Sequence, residues 1–156
     1  MSQGKKRILI IDDDKTILHT FKRILELEGY VVETAETGKE AVEKSRHTFY
    51  NLALIDIHLP DMEGTRLLTE IKETTPKMRK IIVTGYPELH NAIAALKGTA
   101  DDYIMKPVKL SDLVNAVKEQ LRRQDDEKEY GETKMAEYID TRVRAQDLTD
   151  DEPQGD

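Results

Sequence analysis

The segment Ile8-Leu9-Ile10-Ile11-Asp12-Asp13-Asp14 joins four consecutive apolar residues to three consecutive acids. A short, uninterrupted apolar run is typical of a strand that is buried on both faces of a parallel sheet. The chain repeats this pattern, less strongly in some runs, at residues 30–32, 52–55, 81–83 and 103–105. The sequence therefore predicts five strands.

Segments with helical spacing of apolar residues separate the predicted strands. One segment lies in each gap, and a fifth follows the last strand. The residues that mark them are Ile17, Phe21, Ile24 and Leu25; Ala41 and Val42; Leu67, Leu68 and Ile71; Ala92, Ala95 and Leu96; and Leu113, Val117 and Leu121. This alternation predicts a (βα)5 chain of the α/β class, a doubly wound open parallel sheet with helices on both faces.

Polar side chains follow four of the five predicted strands at the point where each strand ends. They are three acids after the first strand, one acid after the third, a hydroxyl after the fourth and an ammonium after the fifth, namely Asp12, Asp13 and Asp14; Asp56; Thr84; and Lys106. Ligands of an open parallel sheet bind outside the carboxyl ends of its strands. We therefore expect these side chains to converge on one functional site.

The acids of this group favour a divalent metal and phosphate chemistry. Carboxylates that crowd the end of a buried strand repel one another unless a cation is present, and hard oxygen ligands select Mg²⁺, for which Mn²⁺ substitutes. As a nucleophile, Asp56 would form an acyl phosphate. Lys106 and Thr84 would then contact the phosphoryl oxygens. A strand-end Asp is also a common helix N-cap, which is the role we predict for Asp14.

Four motifs resemble those of receiver domains in two-component response regulators, over about residues 6–123. They are Ile8-Leu9-Ile10-Ile11-Asp12-Asp13, Leu54-Ile55-Asp56-Ile57-His58-Leu59-Pro60-Asp61-Met62-Glu63-Gly64, Ile82-Val83-Thr84-Gly85 and Asp102-Tyr103-Ile104-Met105-Lys106-Pro107. The resemblance implies a flavodoxin-like sheet with strand order 2-1-3-4-5. It also implies a signalling protein, not an enzyme, whose Asp56 takes a phosphoryl group from a sensor histidine kinase or a phosphotransfer protein. Its only catalysis would be its own phosphoryl transfer and autodephosphorylation.

The resemblance also assigns metal ligands within the site. Asp13 and Asp56 would bind Mg²⁺ directly, together with the backbone carbonyl of His58. Asp12 would act mainly through water.

The same resemblance implies how the phosphoryl group is held and sensed. Thr84 and Lys106 would contact it. Thr84 and Tyr103 would then switch the surface formed by the fourth helix, the fifth strand and the fifth helix, to which a downstream protein binds. The family makes a cis Lys106-Pro107 bond an expectation, whereas trans is the expectation for an X-Pro bond without it.

Three positions depart from the family pattern or border the site. Gly85 stands where relatives usually carry a small residue such as alanine, which adds flexibility after the fourth strand. Thr99 stands where many relatives have glycine, so we expect that turn to be rearranged. The side chain of His58 either controls the access of water to the acyl phosphate or is simply solvated. Gly64, by contrast, matches the family motif, and it follows a turn-rich stretch, where a permissive backbone is useful before the third helix.

Asp12 and Asp14 also fit a rival hypothesis, a phosphatase of the haloacid-dehalogenase type. Asp12 would then be the nucleophile and Asp14 the acid/base, with Thr84 and Lys106 in supporting roles. That family places further metal-binding acids after its lysine, at the end of another strand, and no such strand is predicted here. The hypothesis also leaves Asp56 without a role, so we keep it only as the alternative.

Charge is unevenly distributed along the chain. Residues 124–156 hold 12 acidic and 4 basic side chains, whereas residues 1–123 hold 19 and 20. We predict an N-terminal extension over 1–5, a receiver domain over 6–123 and an acidic extension over 124–156. Because the extension is too short and too acidic for a DNA-binding module, we expect a stand-alone receiver without direct nucleic-acid contacts.

The acidic extension carries a narrow apolar stripe, which consists of Met135, Tyr138, Ile139 and Val143. The spacing predicts a short amphipathic helix over 133–146, separated from the fifth helix by Gly131. Its stripe would dock on the protein's own switch surface or, as we favour, on a partner or on a second copy in a phosphorylation-linked homodimer. A marginal helix that frays in solution is the alternative.

Cysteine content and hydropathy indicate in which cellular compartment the protein is expected. The chain has no cysteine, and no apolar run approaches the roughly 20 residues of a membrane span. We therefore expect a cytoplasmic protein with no membrane partner.

Overall fold

The computed structural model describes residues 4–74, 76–85 and 100–150. The strands and helices in these ranges are β1 (Arg7–Ile11), α1 (Lys15–Leu27), β2 (Val31–Ala35), α2 (Gly38–His47), β3 (Leu52–Asp56), α3 (Gly64–Glu70), β4 (Arg79–Thr84), β5 (Asp102–Met105) and α4 (Leu110–Asp150). Helix α4 corresponds to the fifth predicted helix. The fourth predicted helix, marked by Ala92, Ala95 and Leu96, and the turn at Thr99 lie outside the described residues.

The five strands form one parallel sheet in the order β2-β1-β3-β4-β5. The predicted doubly wound α/β sheet and its strand order are confirmed. In the register of the sheet, Ile11 lies beside Ile55, and Asp56 lies beside Val83. Since the direction of strand order reverses between β1 and β3, the carboxyl ends of these two strands flank the topological switch point, where such sheets bind ligands.

Two apolar clusters cover the two faces of the sheet. Successive residues of a strand point to opposite faces, so Ile8 and Ile10 belong to one cluster and Leu9 and Ile11 to the other. The first cluster includes buried residues of α1 and of the first turns of α4, and the second includes buried residues of α2 and α3. Because the central strands are covered on both sides, their sequences are continuous apolar runs.

Local side chains set the ends of the first helix. Asp14 Oδ1 accepts hydrogen bonds from Thr16 N at 2.9 Å and Ile17 N at 3.3 Å, so the prediction that Asp14 caps this helix is confirmed. Gly29 follows the helix with a φ of 98°. That left-handed conformation favours glycine, and it lets Tyr30 N donate to the carbonyl of Leu25 at 3.2 Å.

Strand β4 begins two residues before its apolar run and buries two charged side chains. Arg79 Nη1 donates to Asp101 Oδ1 at 3.0 Å. Lys80, which is 1% exposed, donates to Glu73 Oε1 at 2.9 Å and to the carbonyl of Leu68 at 3.2 Å. Asp101 Oδ2 also accepts from Lys80 N. Buried charges are tolerated when they are paired and hydrogen-bonded, which is why this strand starts on charged residues.

Strand β5 differs from the fully buried strands that the apolar runs predict. It lies at one edge of the sheet and alternates between partly buried and exposed residues. Tyr103 and Met105 are exposed, whereas Ile104 packs against the cluster that contains α1. An edge strand has a neighbour on one side only, so part of its surface stays open.

Helix α4 runs without interruption from Leu110 to Asp150. The predicted break at Gly131 is therefore wrong, because one glycine in a helix interior costs only about 1 kcal/mol relative to alanine. By its internal contacts, the chain divides into two units, Met1–Arg122 and Arg123–Asp156. The boundaries of the receiver domain and of the two extensions, given above from the sequence, stay predictions. The stripe residues are exposed within the second unit.

No helix in the described ranges has the apolar composition that crossing a membrane requires.

Candidate functional site

A cleft at the carboxyl edge of the sheet gathers most of the predicted site residues. Its lining consists of Asp12, Asp13, Asp14, Asp56, His58, Gly85 and Lys106. These residues follow or end β1, β3, β4 and β5, and parallel pairing brings the carboxyl ends of those strands to the same edge. The convergence expected from the sequence is therefore present in the structure.

Three carboxylates approach one another in this cleft. One oxygen each of Asp12, Asp13 and Asp56 lies within 4.8 Å of the others. Asp12 is 3% exposed and Asp56 is 7% exposed, while Asp13 is open to solvent. The register explains the approach, since Ile11 pairs with Ile55 and the residues that follow this pair are Asp12 and Asp56.

The ammonium of Lys106 lies against two of these carboxylates. Its Nζ is 3.1 Å from Asp12 Oδ2 and 3.7 Å from Asp56 Oδ2. The main chain of Lys106 is held by the neighbouring strand, because its N donates to the carbonyl of Thr84 at 2.7 Å. The Lys106-Pro107 peptide bond is cis, as the family resemblance implies.

The environment of Asp56 perturbs its acidity. Burial, followed by repulsion from Asp12, raises the pKa of Asp56 to about 6. Lys106 and the N–H of His58, which donates to Asp56 Oδ1 at 3.3 Å, oppose that increase by stabilising the carboxylate. A carboxyl group with a raised pKa in a polar cleft is typical of a functional site.

These residues fit a hard divalent cation. Three carboxylates and one ammonium line the cleft, so the lining carries an excess of negative charge when these groups are ionised. Oxygen ligands from carboxylates, with room for water and phosphate oxygens, are what Mg²⁺ takes in proteins. The donor set is therefore chemically suited to Mg²⁺.

The side chain of Asp14 lines the cleft but is engaged elsewhere. It caps α1, and Asp14 N donates to Asp12 Oδ1 at 2.9 Å. This main-chain bond orients the buried carboxylate of Asp12 toward Lys106 and away from solvent. The three consecutive acids thus divide into a helix cap, an exposed group and a buried group.

Gly64 approaches the site more closely than its place in a turn-rich stretch predicts. A Cβ at residue 64 would lie 2.4 Å from the carbonyl oxygen of Asp56 and 2.8 Å from Ile57 Cα. The described backbone conformation at Gly64 is not left-handed. The reason for glycine is therefore close packing, and our explanation by backbone permissiveness is wrong.

The remaining predicted residues lie around the cleft. Thr84 ends β4, is completely buried and is not among the residues that line the cleft. Tyr103 lies on β5, where it pairs in register with Ile82, and its side chain is 38% exposed. Gly85 lines the cleft, and a Cβ added to it would meet Lys106 Cβ at an ordinary 3.6 Å.

Asp61 is a neighbour of the site whose contacts the sequence does not reveal. It lies in the loop between β3 and α3, and its carboxylate accepts hydrogen bonds from Gly38 N and Lys39 N. These partners are 23 and 22 residues away in the chain, so no local motif could have identified them.

A match to a known protein family agrees with the function that the arrangement of the cleft suggests. The family model described as response regulator receiver domain matches residues 8–118. The chain belongs to this family. As a receiver domain, it carries an acidic pocket of Asp12, Asp13 and Asp56 that fits a phosphoacceptor site. The comparisons give no support to the phosphatase hypothesis, and the cap made by Asp14 leaves that residue poorly placed to be its acid/base.

Solved receiver domains are similar to this chain in both fold and sequence. A response regulator receiver domain protein (CheY-like) from Methanospirillum hungatei JF-1 is 52% identical, with a TM-score of 0.74 over 80% of this chain and 99% of that chain. The response regulator TrrA from Thermotoga maritima, solved in complex with Mg²⁺-BeF, is 32% identical, with a TM-score of 0.66 over 74% and 98% of the two chains.

Curated relatives are longer than this receiver chain. The alginate biosynthesis transcriptional regulatory protein AlgB of Pseudomonas aeruginosa is 30% identical over 90% of this chain and 35% of its own length. The photosynthetic apparatus regulatory protein RegA of Rhodobacter capsulatus is 34% identical over 72% of this chain and 61% of its own length. The chain thus spans between about a third and three-fifths of these two proteins.

Proposed function

We propose that Asp56 of this receiver domain accepts a phosphoryl group from a histidine kinase or a phosphotransfer protein. The observation that carries the proposal is the convergence of Asp12, Asp13 and Asp56 with Lys106 in one cleft. Asp56 sits at the end of β3, at the switch point of the sheet. Its side chain therefore projects where ligands of open parallel sheets bind.

Mg²⁺, or Mn²⁺ in its place, would be held by Asp13, Asp56 and the backbone carbonyl of His58, with Asp12 acting mainly through water. Bound there, the cation would neutralise the charge that accumulates between the phosphoryl oxygens and the carboxylates. The similarity to TrrA, which was solved with Mg²⁺-BeF, supports this assignment. The excess of carboxylates in the cleft supports it independently.

In the transfer, a carboxylate oxygen of Asp56 forms a bond to phosphorus while the bond from phosphorus to the donor's imidazole nitrogen breaks. The electron pair of that bond stays on the imidazole, and Asp56 becomes an acyl phosphate. The attacking carboxyl must be ionised. A pKa of about 6 leaves most of the Asp56 side chains ionised at neutral pH, with Lys106 and the His58 N–H favouring that form.

Lys106 and Thr84 would stabilise the transferred group. The Lys106 ammonium already lies 3.7 Å from Asp56 Oδ2. It would therefore be close enough to bind a phosphoryl oxygen once Asp56 is phosphorylated, and to stabilise the negative charge on that oxygen. The Thr84 hydroxyl would donate to another phosphoryl oxygen. Attack by water on the acyl phosphate would release phosphate and restore the Asp56 carboxylate. In this sense the protein would catalyse only its own modification and its reversal.

The output would pass through protein contacts. Thr84 and Tyr103 would couple the phosphoryl group to the surface formed by the predicted fourth helix, β5 and the first turns of α4, where a downstream partner binds. The exposed stripe of α4 would dock on a partner or on a second copy of the chain. We place the protein in the cytoplasm, without direct contacts to nucleic acid or membrane.

Phosphorylation with a small donor tests the chemistry. Incubation with Mg²⁺ and acetyl phosphate should add one phosphoryl group to the intact mass, and borohydride reduction should locate it at residue 56. Asp56→Asn should abolish the gain, whereas the matched variant Asp14→Asn should keep it because asparagine also caps helices. Labelling that persists in Asp56→Asn and disappears in Asp12→Asn would overturn the proposal in favour of the phosphatase.

Truncation tests the docking role of the stripe. A chain that ends at Gln124 should lose the dimer or partner complex that the intact chain forms when it is activated with beryllofluoride. Light scattering after size exclusion measures the dimer, and a pull-down with activated protein measures the complex. If the truncated and intact chains behave equally in both measurements, the docking role is contradicted. The proposed phosphorylation of Asp56 would not be affected by that result.

A further inference from the structure

The carboxylate of Asp61 joins the loop between β3 and α3 to the start of α2. Asp61 Oδ1 accepts from Gly38 N and Asp61 Oδ2 accepts from Lys39 N, both at 2.9 Å. These are the first two N–H groups of the helix, which have no partner within it. Burial is the largest single influence and raises the pKa of Asp61. The hydrogen bonds from Gly38 N, Lys39 N and its own N, together with the charge of Lys39, outweigh burial and lower that pKa below its usual value.

The helix already has a cap of its own. Thr37 Oγ1 accepts from Glu40 N at 3.0 Å, as expected of an N-cap threonine. Asp61 therefore adds a second set of bonds to a helix start that is locally capped. Its carboxylate also lies at the positive end of the helix dipole, which strengthens the attachment.

An apolar contact accompanies this polar one. A Cβ at Gly38 would lie 2.5 Å from Met62 Cγ, so the side chain of Met62 rests directly on the backbone of the helix start. Met62 and Leu59 are both partly buried against the cluster that contains α2 and α3. The tip of the loop is thus fixed on α2 by neighbouring polar and apolar residues.

The base of the same loop is closed by backbone contacts. Gly64 N donates to the carbonyl of Ile57 at 2.7 Å, and His58 forms an antiparallel bridge with Glu63. His58 is part of this closure, and its carbonyl belongs to the peptide group that joins the bridge to Leu59. Its direction therefore depends on how the loop continues from Leu59 to its tip at Asp61.

We propose that Asp61 is a positioning residue for the metal site: it holds the loop on α2 and thereby fixes the direction of the carbonyl of His58, a residue that lines the cleft. The inference rests on the proposed function, because the role of that carbonyl as a ligand is part of it. Asp61 would not touch the metal. It would act as the residues around a metal site generally do, by fixing the orientation of a ligand.

Magnesium affinity, measured by calorimetry on the intact chain, tests this role. Loss of an orienting residue typically weakens metal binding by 10- to 100-fold, and we expect about tenfold for Asp61→Ala because Met62 and Leu59 still hold the tip. Asp61→Asn should weaken it by about threefold, because asparagine offers only one oxygen to Gly38 N and Lys39 N and turns an NH2 group toward the other, so one of the two bonds is lost.

Thr37→Ala is the matched control, because it removes the local cap of the same helix without touching the loop. It should change the affinity by less than about twofold, although caps of this kind also stabilise a helix. Amide exchange at Gly38 and Lys39 should accelerate in both Asp61 variants. If Asp61→Ala does not fold, Asp61→Asn carries the comparison.

The outcomes separate the two proposals. Failure of the wild-type chain to bind Mg²⁺, or binding that survives in Asp13→Asn, would contradict the proposed metal site itself. Wild-type binding that depends on Asp13 but is unchanged in both Asp61 variants would overturn only the positioning role. Equal weakening by Thr37→Ala and Asp61→Ala would also overturn it, because the effect would then come from the stability of α2.

Discussion

The backbone of Gly64 packs directly on the carbonyl of Asp56, leaving no space for a side chain at residue 64. A Cβ there would lie 2.4 Å from the carbonyl oxygen of Asp56, and Gly64 N donates to the carbonyl of Ile57 at 2.7 Å. The main-chain position of the proposed phosphoacceptor is thus set by the start of α3 as well as by the sheet.

Gly64→Ala should destabilise the protein and disturb the site together. The new methyl group would push against main-chain atoms at Asp56 and Ile57, which cannot move aside as a side chain can. We expect a loss of about 1–3 kcal/mol in the free energy of unfolding, which is the usual cost of overpacking. Urea denaturation measures this loss, and acetyl phosphate labelling should slow in the same variant.

Gly85→Ala provides a contrasting prediction at the same cleft. Its methyl group would meet Lys106 Cβ at 3.6 Å, which is an ordinary contact. We expect stabilisation by about 0.4–1 kcal/mol, because alanine restricts the unfolded chain without straining the folded one. Destabilisation of Gly85→Ala in urea, comparable to that of Gly64→Ala, would contradict the argument from space at these two positions.

The raised pKa of Asp56 predicts a particular pH dependence of stability without metal. Between about pH 4, where Asp56 ionises in the unfolded chain, and its folded pKa of about 6, the folded state binds the extra proton. Stability should therefore fall as the pH rises through this window, by about 2–3 kcal/mol. Urea denaturation in EDTA measures it. Asp56→Asn should lack this component, and identical pH profiles of variant and wild type would contradict the assignment.

Lys106→Met should raise the pKa of Asp56 further. The ammonium lies 3.7 Å from Asp56 Oδ2 and lowers that pKa, whereas methionine fills similar space without charge. A ¹³C titration of the Asp56 carboxyl group measures the change, and Lys106→Arg should stay near the wild-type value. Acetyl phosphate labelling should slow by about 100-fold in Lys106→Met, as when an electrostatic stabiliser is removed. An unchanged titration would show that Lys106 does not act on Asp56.

Gly131→Ala should strengthen the C-terminal part of α4. Nothing lies within 4 Å of a Cβ at this position, so the substitution changes helix propensity without a new contact. Alanine in a helix interior is favoured over glycine by about 1 kcal/mol. Circular dichroism should report more helix, and amide exchange of residues near 131 should slow. Gly4→Ala, also in open space but outside the helices, should change neither measurement.

The sequence was sufficient to place the carboxylates of the cleft, because these residues lie at or directly after the ends of buried strands. Once the apolar runs identify β1 and β3, the positions of Asp12 and Asp56 follow from the parallel arrangement. The cap at Asp14 was also predictable, since it depends on residues two and three positions away.

Side-chain contacts between segments that are distant in the chain could not be predicted from the sequence. Strand β4 begins on Arg79 and Lys80 because Asp101 and Glu73 neutralise them, and neither partner is adjacent in the chain. The attachment of Asp61 to Gly38 has the same character. The continuous helix through Gly131 is a different case. The helix propensity of glycine is unfavourable at that one position, but the propensities of the many residues around it together favour the helix.

The ion pair between Lys106 and Asp12 spans 94 positions of the chain. During synthesis, Asp12, Asp13 and Asp56 are added before Lys106, so a nascent chain has the carboxylates of the cleft without their ammonium. Only translation through β5 supplies it. The charge balance of the cleft is therefore complete only after nearly the whole sheet has been made.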